Sequence, residues 1–235
     1  MSAKNKEKNK KSTKANKGNE LLPGIIISAV LVVIAVTAVI LGSSYGQNAG
    51  LNEVAEGVYV SVGPQSNVNA TLIVSGKEAV LVDTGESIEQ ANDILNFLEK
   101  KKITLKGIVI TQDMPEHTAG ITVLMGHEVY VYNADIVKNG HTIKLGDLNI
   151  KLIETPRFSG DRHISAEIIE KKILIAGDVV NSEESVKDEV SVDKATMEST
   201  LNNIIDGNYS IIIPGHGETI KDINIVKSQL DALRK

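Results

Sequence analysis

The chain has 235 residues, 42% of them apolar, with 25 basic and 30 acidic side chains and a net charge of −5. That length and apolar content accommodate one domain of ordinary size plus an appendage. There is no cysteine, which excludes disulfides and thiolate metal sites alike.

Residues 1–20 hold Lys4, Lys6, Lys8, Lys10, Lys11, Lys14 and Lys17 against Glu7 and Glu20. No apolar periodicity runs through them, so they read as a basic, disordered tail. From Leu21 to Leu41 there is no charged residue, and Ile, Val, Leu and Ala dominate. At about 1.5 Å per residue, some 20 residues cross the roughly 30 Å apolar thickness of a bilayer. A secretory signal has a shorter apolar core of about 7–15 residues. The pattern therefore predicts an uncleaved signal anchor, a transmembrane helix over residues 21–42. Positive charge ahead of the span places the tail in the cytoplasm and the remainder outside, as in a single-pass protein of the cell membrane. Residues 43–52, rich in Gly, Ser and Asn, read as a linker. Residues 53–235 read as one external domain. With the tail's net +5 set aside, the rest of the chain is net −10. A domain that acidic repels phosphate backbones, which argues against nucleic acid as a partner.

Within the domain, residues 58–62, 70–74 and 79–82 are short, rich in Val and Ile, and broken by Gly63-Pro64 and Gly76-Lys77, as strands are. Asp83-Thr84-Gly85 ends the third. A helix is predicted over residues 88–101, with Ser87 as its N-cap and Ala91, Ile94, Leu95 and Leu98 at helical spacing. Further strands are predicted at 106–110, 129–131, 142–145, 149–153, 166–169, 174–176 and 211–213. Helices are predicted at 194–205 and 223–233. Residues 121–125 leave little room for a helix. Strands first, then strands alternating with helices, point to sheets packed between helical layers.

One stretch concentrates chemistry. The apolar run Ile108–Ile110 leads into Thr111-Gln112-Asp113-Met114-Pro115-Glu116-His117-Thr118-Ala119-Gly120. Adjacent carboxylate and imidazole at the end of a buried strand suit a metal or acid/base site, because strand ends hold loop ligands on a rigid frame. The stretch resembles the metallo-β-lactamase superfamily motif Thr-His-x-His-x-Asp-His-x-x-Gly. Its Thr, last His and Gly match, Glu116 replaces the Asp, and Gln112 and Met114 replace the first two His. Two further words match: Ala176-Gly177-Asp178, and Pro214-Gly215-His216-Gly217. Thr155-Pro156-Arg157-Phe158 stands where the family has Thr-Pro-Gly-His.

The resemblance covers about residues 53–235 and implies the four-layer αββα sandwich, with the site at one edge of its two sheets. It also implies a ligand assignment. The first metal's three His fall on Gln112, Met114 and Phe158, which are lost ligand positions. The second metal's ligands fall on Glu116, His117 and His216, the bridging carboxylate on Asp178, and Asp83 on an aspartate standing behind the ligands. Phe158 has no lone pair, Gln112 offers only a neutral amide oxygen, and Met114 a thioether suited to soft ions. Glu116, His117, Asp178 and His216 remain a plausible set for one divalent ion, zinc first, with Mn²⁺ or Fe²⁺ as harder choices.

Two functions are compatible with that set. The first is a catalytically inactive or specialised descendant, a pseudoenzyme presenting the fold outside the membrane to a protein partner. The second is a mononuclear hydrolase acting on a small ester, lactam, thioester or phosphodiester, with Glu116 or Asp178 taking the proton. His163, five residues past Phe158, reads as an ordinary loop or strand histidine, with a substitute metal ligand as the alternative; His127 and His141 read as surface residues, and Asp161-Arg162 as a local ion pair or the lip of a cleft. Asn69-Ala70-Thr71 and Asn208-Tyr209-Ser210 fit the glycosylation acceptor pattern.

Overall fold

The computed structural model describes residues 50–125, 129–156, 162–182 and 193–235. The basic tail, the apolar span 21–42, His127 and Phe158 lie outside the described residues. Among the described residues no helix is long and apolar enough to cross a membrane.

Two sheets form the centre. The first has the order β1 (Leu51–Ala55), β2 (Val58–Val62), β3 (Asn69–Ser75), β4 (Glu78–Val82), β5 (Thr104–Val109) and β6 (Tyr130–Tyr132). Its first four strands form an antiparallel meander, and β4, β5 and β6 run parallel. The second has the order β11 (Ile211–Pro214), β10 (Ile173–Gly177), β9 (Arg162–Ile168), β8 (Leu148–Pro156) and β7 (Thr142–Leu145). There β10 and β11 are parallel and the rest antiparallel.

Alternation along the strands sends one face of each sheet inward. Val58, Val60 and Val80 from the first sheet share a core with Ile150, Ile164 and Ile175 from the second. The outer faces are covered by helices. Helix α1 (Ile88–Lys101) lays Ala91, Ile94 and Leu98 against Leu72 and Leu81 of the first sheet. Ser87 caps it, its hydroxyl accepting from the Gln90 N–H. On the other side α4 (Lys194–Asp206) and α5 (Asn224–Arg234) bury Met197, Leu201, Val226 and Leu230 against Leu174 and Ile212. The layers are thus helix, sheet, sheet, helix. Each fully buried aliphatic side chain contributes about 1.5–3 kcal/mol, so these three clusters hold the sandwich together.

Two short helical turns, α2 (Pro115–Thr118) and α3 (Ile121–Leu124), follow β5. The first replaces the irregular turn expected there. Pro115 sits at its first position, where a missing N–H costs nothing. The second is as short as the available room dictates. Strand β1 takes in Leu51 and Asn52, the last two residues of the expected linker. Strand β9 begins at Arg162, four residues before the stretch that looked strand-like, because His163 and Ser165 interrupt the apolar run ahead of Ala166. Asp83, Thr111, Asp178 and His216 all follow directly, or within two residues, the carboxyl ends of β4, β5, β10 and β11. Parallel strands bring such ends to one edge of their sheet.

Candidate metal centre

The site is built outward from a buried carboxylate. Asp83 follows β4 with φ of +60°, a conformation aspartate tolerates better than most residues. Its side chain is 2% exposed. It accepts from the Thr111 N–H (2.8 Å) and the Thr111 hydroxyl (2.8 Å), and pairs with His117 Nδ1 (2.8 Å). An ionised carboxylate in that position takes the Nδ1 proton, so Nε2 carries the lone pair and faces the site. The carbonyl of His117 is held by the N–H and hydroxyl of Thr84. Gly120 closes the turn where a Cβ would come within 2.4 Å of Ala91 Cβ and 2.5 Å of the Thr84 carbonyl. This contact is the physical reason for glycine there.

Asp178 enters from the end of β10. Its Oδ2 is 3.5 Å from His117 Nε2, and its Oδ1 is 3.5 Å from His216 Nε2. His216 enters from the end of β11. Its Nδ1 donates to the Ser66 carbonyl (2.9 Å), which again leaves Nε2 facing inward. Ser66 is fixed in turn by Glu86, whose carboxylate accepts from the N–H groups of Gln65 and Ser66. Asn69 braces the same turn, donating to the carbonyls of Pro214 and Gly217. Asn69 is 3% exposed with its amide so engaged, which removes it as a glycosylation acceptor. Asn208 is exposed.

The ligand atoms of His117, Asp178 and His216 all lie within 4.8 Å of one another, a spacing that can hold a metal ion. Two ligand atoms 3.5 Å apart fit a tetrahedral ion at about 2.0–2.2 Å from each. Among the described residues the buried Asp178 Oδ1 has no hydrogen-bond partner, as suits an atom that can meet a cation. The donor set, two imidazoles and a carboxylate, suits zinc or a neighbouring first-row ion. Glu116 is half-buried on α2 and does not belong to this group. Glutamate and histidine adjacent on a helical turn leave the backbone in different directions, so three of the four expected ligands converge and the fourth stands apart.

The residue that sequence reasoning left as a mere loss is central. Gln112 is 2% exposed, and its amide nitrogen lies 2.6 Å from His117 Nε2 and 2.5 Å from Asp178 Oδ2. Electrostatics place two demands on His117. Burial works against a charged ring, but hydrogen bonds and charge from Asp178 and Asp83 outweigh it and push the group up to about 10. The amide contact requires the opposite, a bare Nε2, because two N–H groups do not face each other at 2.6 Å. The contact geometry decides for a neutral ring whose Nε2 is an unusually strong acceptor. Burial alone would raise Asp178, but the imidazoles of His117 and His216 and the Gln112 amide beside it act the other way and hold it well below the usual carboxylate range.

His163 lies in a strand, one of the two placements its sequence context allowed, and its contacts tie it to the site. It is fully buried in β9, its Nδ1 2.7 Å from the Thr155 hydroxyl, and its Nε2 accepts from the Asp178 N–H at 3.3 Å. It supports the Asp178 turn from below and is not among the grouped ligands. Its signal was the alternation of His163 and Ser165, with Thr155 opposite His163 on β8, a buried polar stripe of period two on the face of β9 turned away from the core that holds Ile164. Arg162 is exposed and pairs with Asp135 (3.1 Å) and Glu154 (3.5 Å). With Gln112, Asp113 and Asn133 it borders a cleft of about 40 Å³. Met114 is the residue before α2, half-buried, and His141 is exposed.

A two-sheet αββα sandwich with imidazoles and a carboxylate converging at the strand ends is the architecture of a metallo-hydrolase-like domain. No protein-family model matches the chain. Among solved structures, a metallo-β-lactamase from Pontibacter korlensis superposes with a TM-score of 0.70, at 14% identity, over 78% of this chain and 98% of that one. In sequence the chain is 27% identical over 164 residues to the thioesterase pkgB of Emericella nidulans, covering 66% of this chain and 47% of that protein. It is 31% identical over 117 residues to a hydroxyacylglutathione hydrolase of Hahella chejuensis, covering 45% and 44%. The chain spans about half the length of the curated relatives it matches. The fold is that of the metallo-β-lactamases, and the sequence is similar to curated lactamase-like proteins and hydroxyacylglutathione hydrolases, which together support the superfamily resemblance.

Proposed function

We propose that the chain is a membrane-anchored protein whose external metallo-β-lactamase-fold domain keeps one divalent-cation site, formed by His117, Asp178 and His216. In this reading it is specialised or catalytically inactive, not a two-metal hydrolase. The observation that carries it is the convergence of these three ligands beside Gln112, an amide where the family's first metal takes an imidazole. Zinc, when bound, supplies Lewis acidity and lowers the pKa of a coordinated water. The chain's own part is to orient the ligands: Asp83 fixes the tautomer of His117, and Ser66 that of His216. The uncharged run 21–41 behind a basic tail supports the anchor.

Metal analysis of the detergent-solubilised chain tests the site. About one ion per chain, lost in His216→Ala, is the expected result, and a metal-free chain that takes up no added zinc overturns it. Protease digestion of intact cells tests the topology, with the domain cleaved from outside and the tail protected.

A second reading, a mononuclear hydrolase, is favoured by relatives named as a thioesterase and as hydroxyacylglutathione hydrolases. A thioester is then the first substrate to try, with Glu116, outside the ligand group, as the candidate proton acceptor. Turnover abolished by Asp178→Ala would select this reading, and turnover unaffected by that substitution would exclude it.

A further inference from the structure

The cation site as folded is already filled by the protein itself. His117 Nε2 has a single lone pair. In the structure that lone pair faces the Gln112 amide nitrogen at 2.6 Å, and the same nitrogen donates to Asp178 Oδ2 at 2.5 Å. The two amide hydrogens thus meet the two atoms that an ion would join. At ligand distances of about 2.0–2.2 Å, any ion shared by those atoms, 3.5 Å apart, comes within about 3 Å of the amide nitrogen. Amide hydrogens and a cation do not share that space.

We propose that Gln112 is a built-in occupant of the centre: its amide ties His117 to Asp178 when no cation is bound, and leaves before one binds. This rests on the reading of His117, Asp178 and His216 as a cation site. Two further observations support it. The Gln112 carbonyl oxygen is buried with no hydrogen-bond partner among the described residues, where the side chain is held through its nitrogen. A buried, unpaired carbonyl is costly, and the conformation persists because the nitrogen satisfies a buried imidazole and a buried carboxylate at once. The cleft bordered by Gln112 also carries Asp113, Asn133 and Arg162, polar groups that can receive the displaced amide. A cation therefore competes with an internal donor, and its affinity is set below that of the bare ligand group.

Zinc titration and thermal melting of the full chain in detergent, before and after chelation, test this in the wild type and in Gln112→Leu, which keeps the volume and removes the donors. Gln112→Leu is expected to melt lower than the wild type in chelator and to bind zinc about tenfold or more tightly, because no hydrogen bonds to ionised groups have to be broken first. Gln112→Asn, an amide one methylene too short to reach both atoms, is expected to move both quantities the same way, and decides if the Leu variant does not fold. Zinc bound by the wild type and equally or more weakly by the variants overturns the occupant role alone. Zinc bound by none of them overturns the cation site as well.

Discussion

Replacing Asp83 by asparagine tests the geometry of the centre at its root. The carboxylate accepts three hydrogen bonds at 2.8 Å while 2% exposed. Truncation to alanine leaves the Thr111 N–H and hydroxyl and the His117 N–H without an acceptor, at about 1–3 kcal/mol for each unmet group. It also puts alanine at a φ of +60°, adding roughly 1 kcal/mol. Partial relaxation keeps the total near 3–5 kcal/mol, a large fraction of a domain's stability. Asparagine keeps the shape and tolerates the backbone, so its own cost is about 1–2 kcal/mol. Its oxygen accepts from the Thr111 N–H, and its NH₂ then faces His117 Nδ1. Nδ1 becomes the acceptor, and the ring proton moves to Nε2, against Gln112. An Nε2–H neither accepts the amide nor binds an ion. Urea denaturation is expected to separate the two variants by about 2 kcal/mol or more, while both lose zinc uptake. Nitrogen-15 NMR of the His117 ring should report Nδ1–H in the wild type and Nε2–H in Asp83→Asn. A wild-type ring protonated on both nitrogens at neutral pH, or an Asn variant with an unchanged tautomer, refutes the reasoning.

Gly215→Ala should spare the fold and damage the centre, since a Cβ there meets Asp178 Oδ1 at 2.1 Å. The carboxylate has to rotate away, zinc affinity should fall at least about tenfold, and the circular dichroism spectrum should stay native, at about 1–3 kcal/mol of overpacking. His163→Ala removes a fully buried ring that supports the Asp178 turn. It should cost about 2–4 kcal/mol in urea denaturation, with the stoichiometry of bound zinc unchanged. Glu86→Ala frees the Gln65 and Ser66 N–H groups, and with them the carbonyl that orients His216. Zinc affinity should weaken several-fold, up to about a hundredfold, as for partners that orient metal-binding histidines. In a competition titration Glu86→Gln should recover part of the loss.

The fold was legible because its signals are local. Ser87 ahead of Ala91, Ile94 and Leu98 marks both the start and the buried face of α1, and the helix occupies the span those residues predict. The short Val- and Ile-rich runs of β2, β3 and β4 are bounded by turn residues, and the strands match them within a residue. Strand β9 was read late, because the buried polar residues His163 and Ser165 broke the apolar pattern. Their partner Thr155 is eight residues from His163, across a strand pairing the sequence does not display. The site was legible as words, Glu116-His117, Gly177-Asp178 and Pro214-Gly215-His216-Gly217, but not as geometry. Nothing in those words tells that Glu116 stands outside the ligand group. Nor do they tell that Gln112 turns its nitrogen, rather than its oxygen, toward His117, a choice made by Asp178 from 66 residues further on.

That choice bears on why the centre keeps its shape at all. An ionised carboxylate taken out of water is costly unless it is paired and hydrogen-bonded. Asp83 meets the requirement within its own neighbourhood, through Thr111 and His117. Asp178 does not: among the described residues its Oδ1 has no hydrogen-bond partner, and the two imidazole nitrogens beside it stand at 3.5 Å, beyond good hydrogen-bonding distance. What remains is the backbone support of the Asp178 turn by His163 and a single side-chain donor, Gln112. A histidine at position 112 would bring a third imidazole, whose single N–H meets at most one of the two atoms that the Gln112 amide meets. A glutamine brings two hydrogens and no charge, so the domain satisfies most of the centre's demand from within. The physical consequence is a fold whose integrity does not wait on metal supply, and a cation site whose occupancy does.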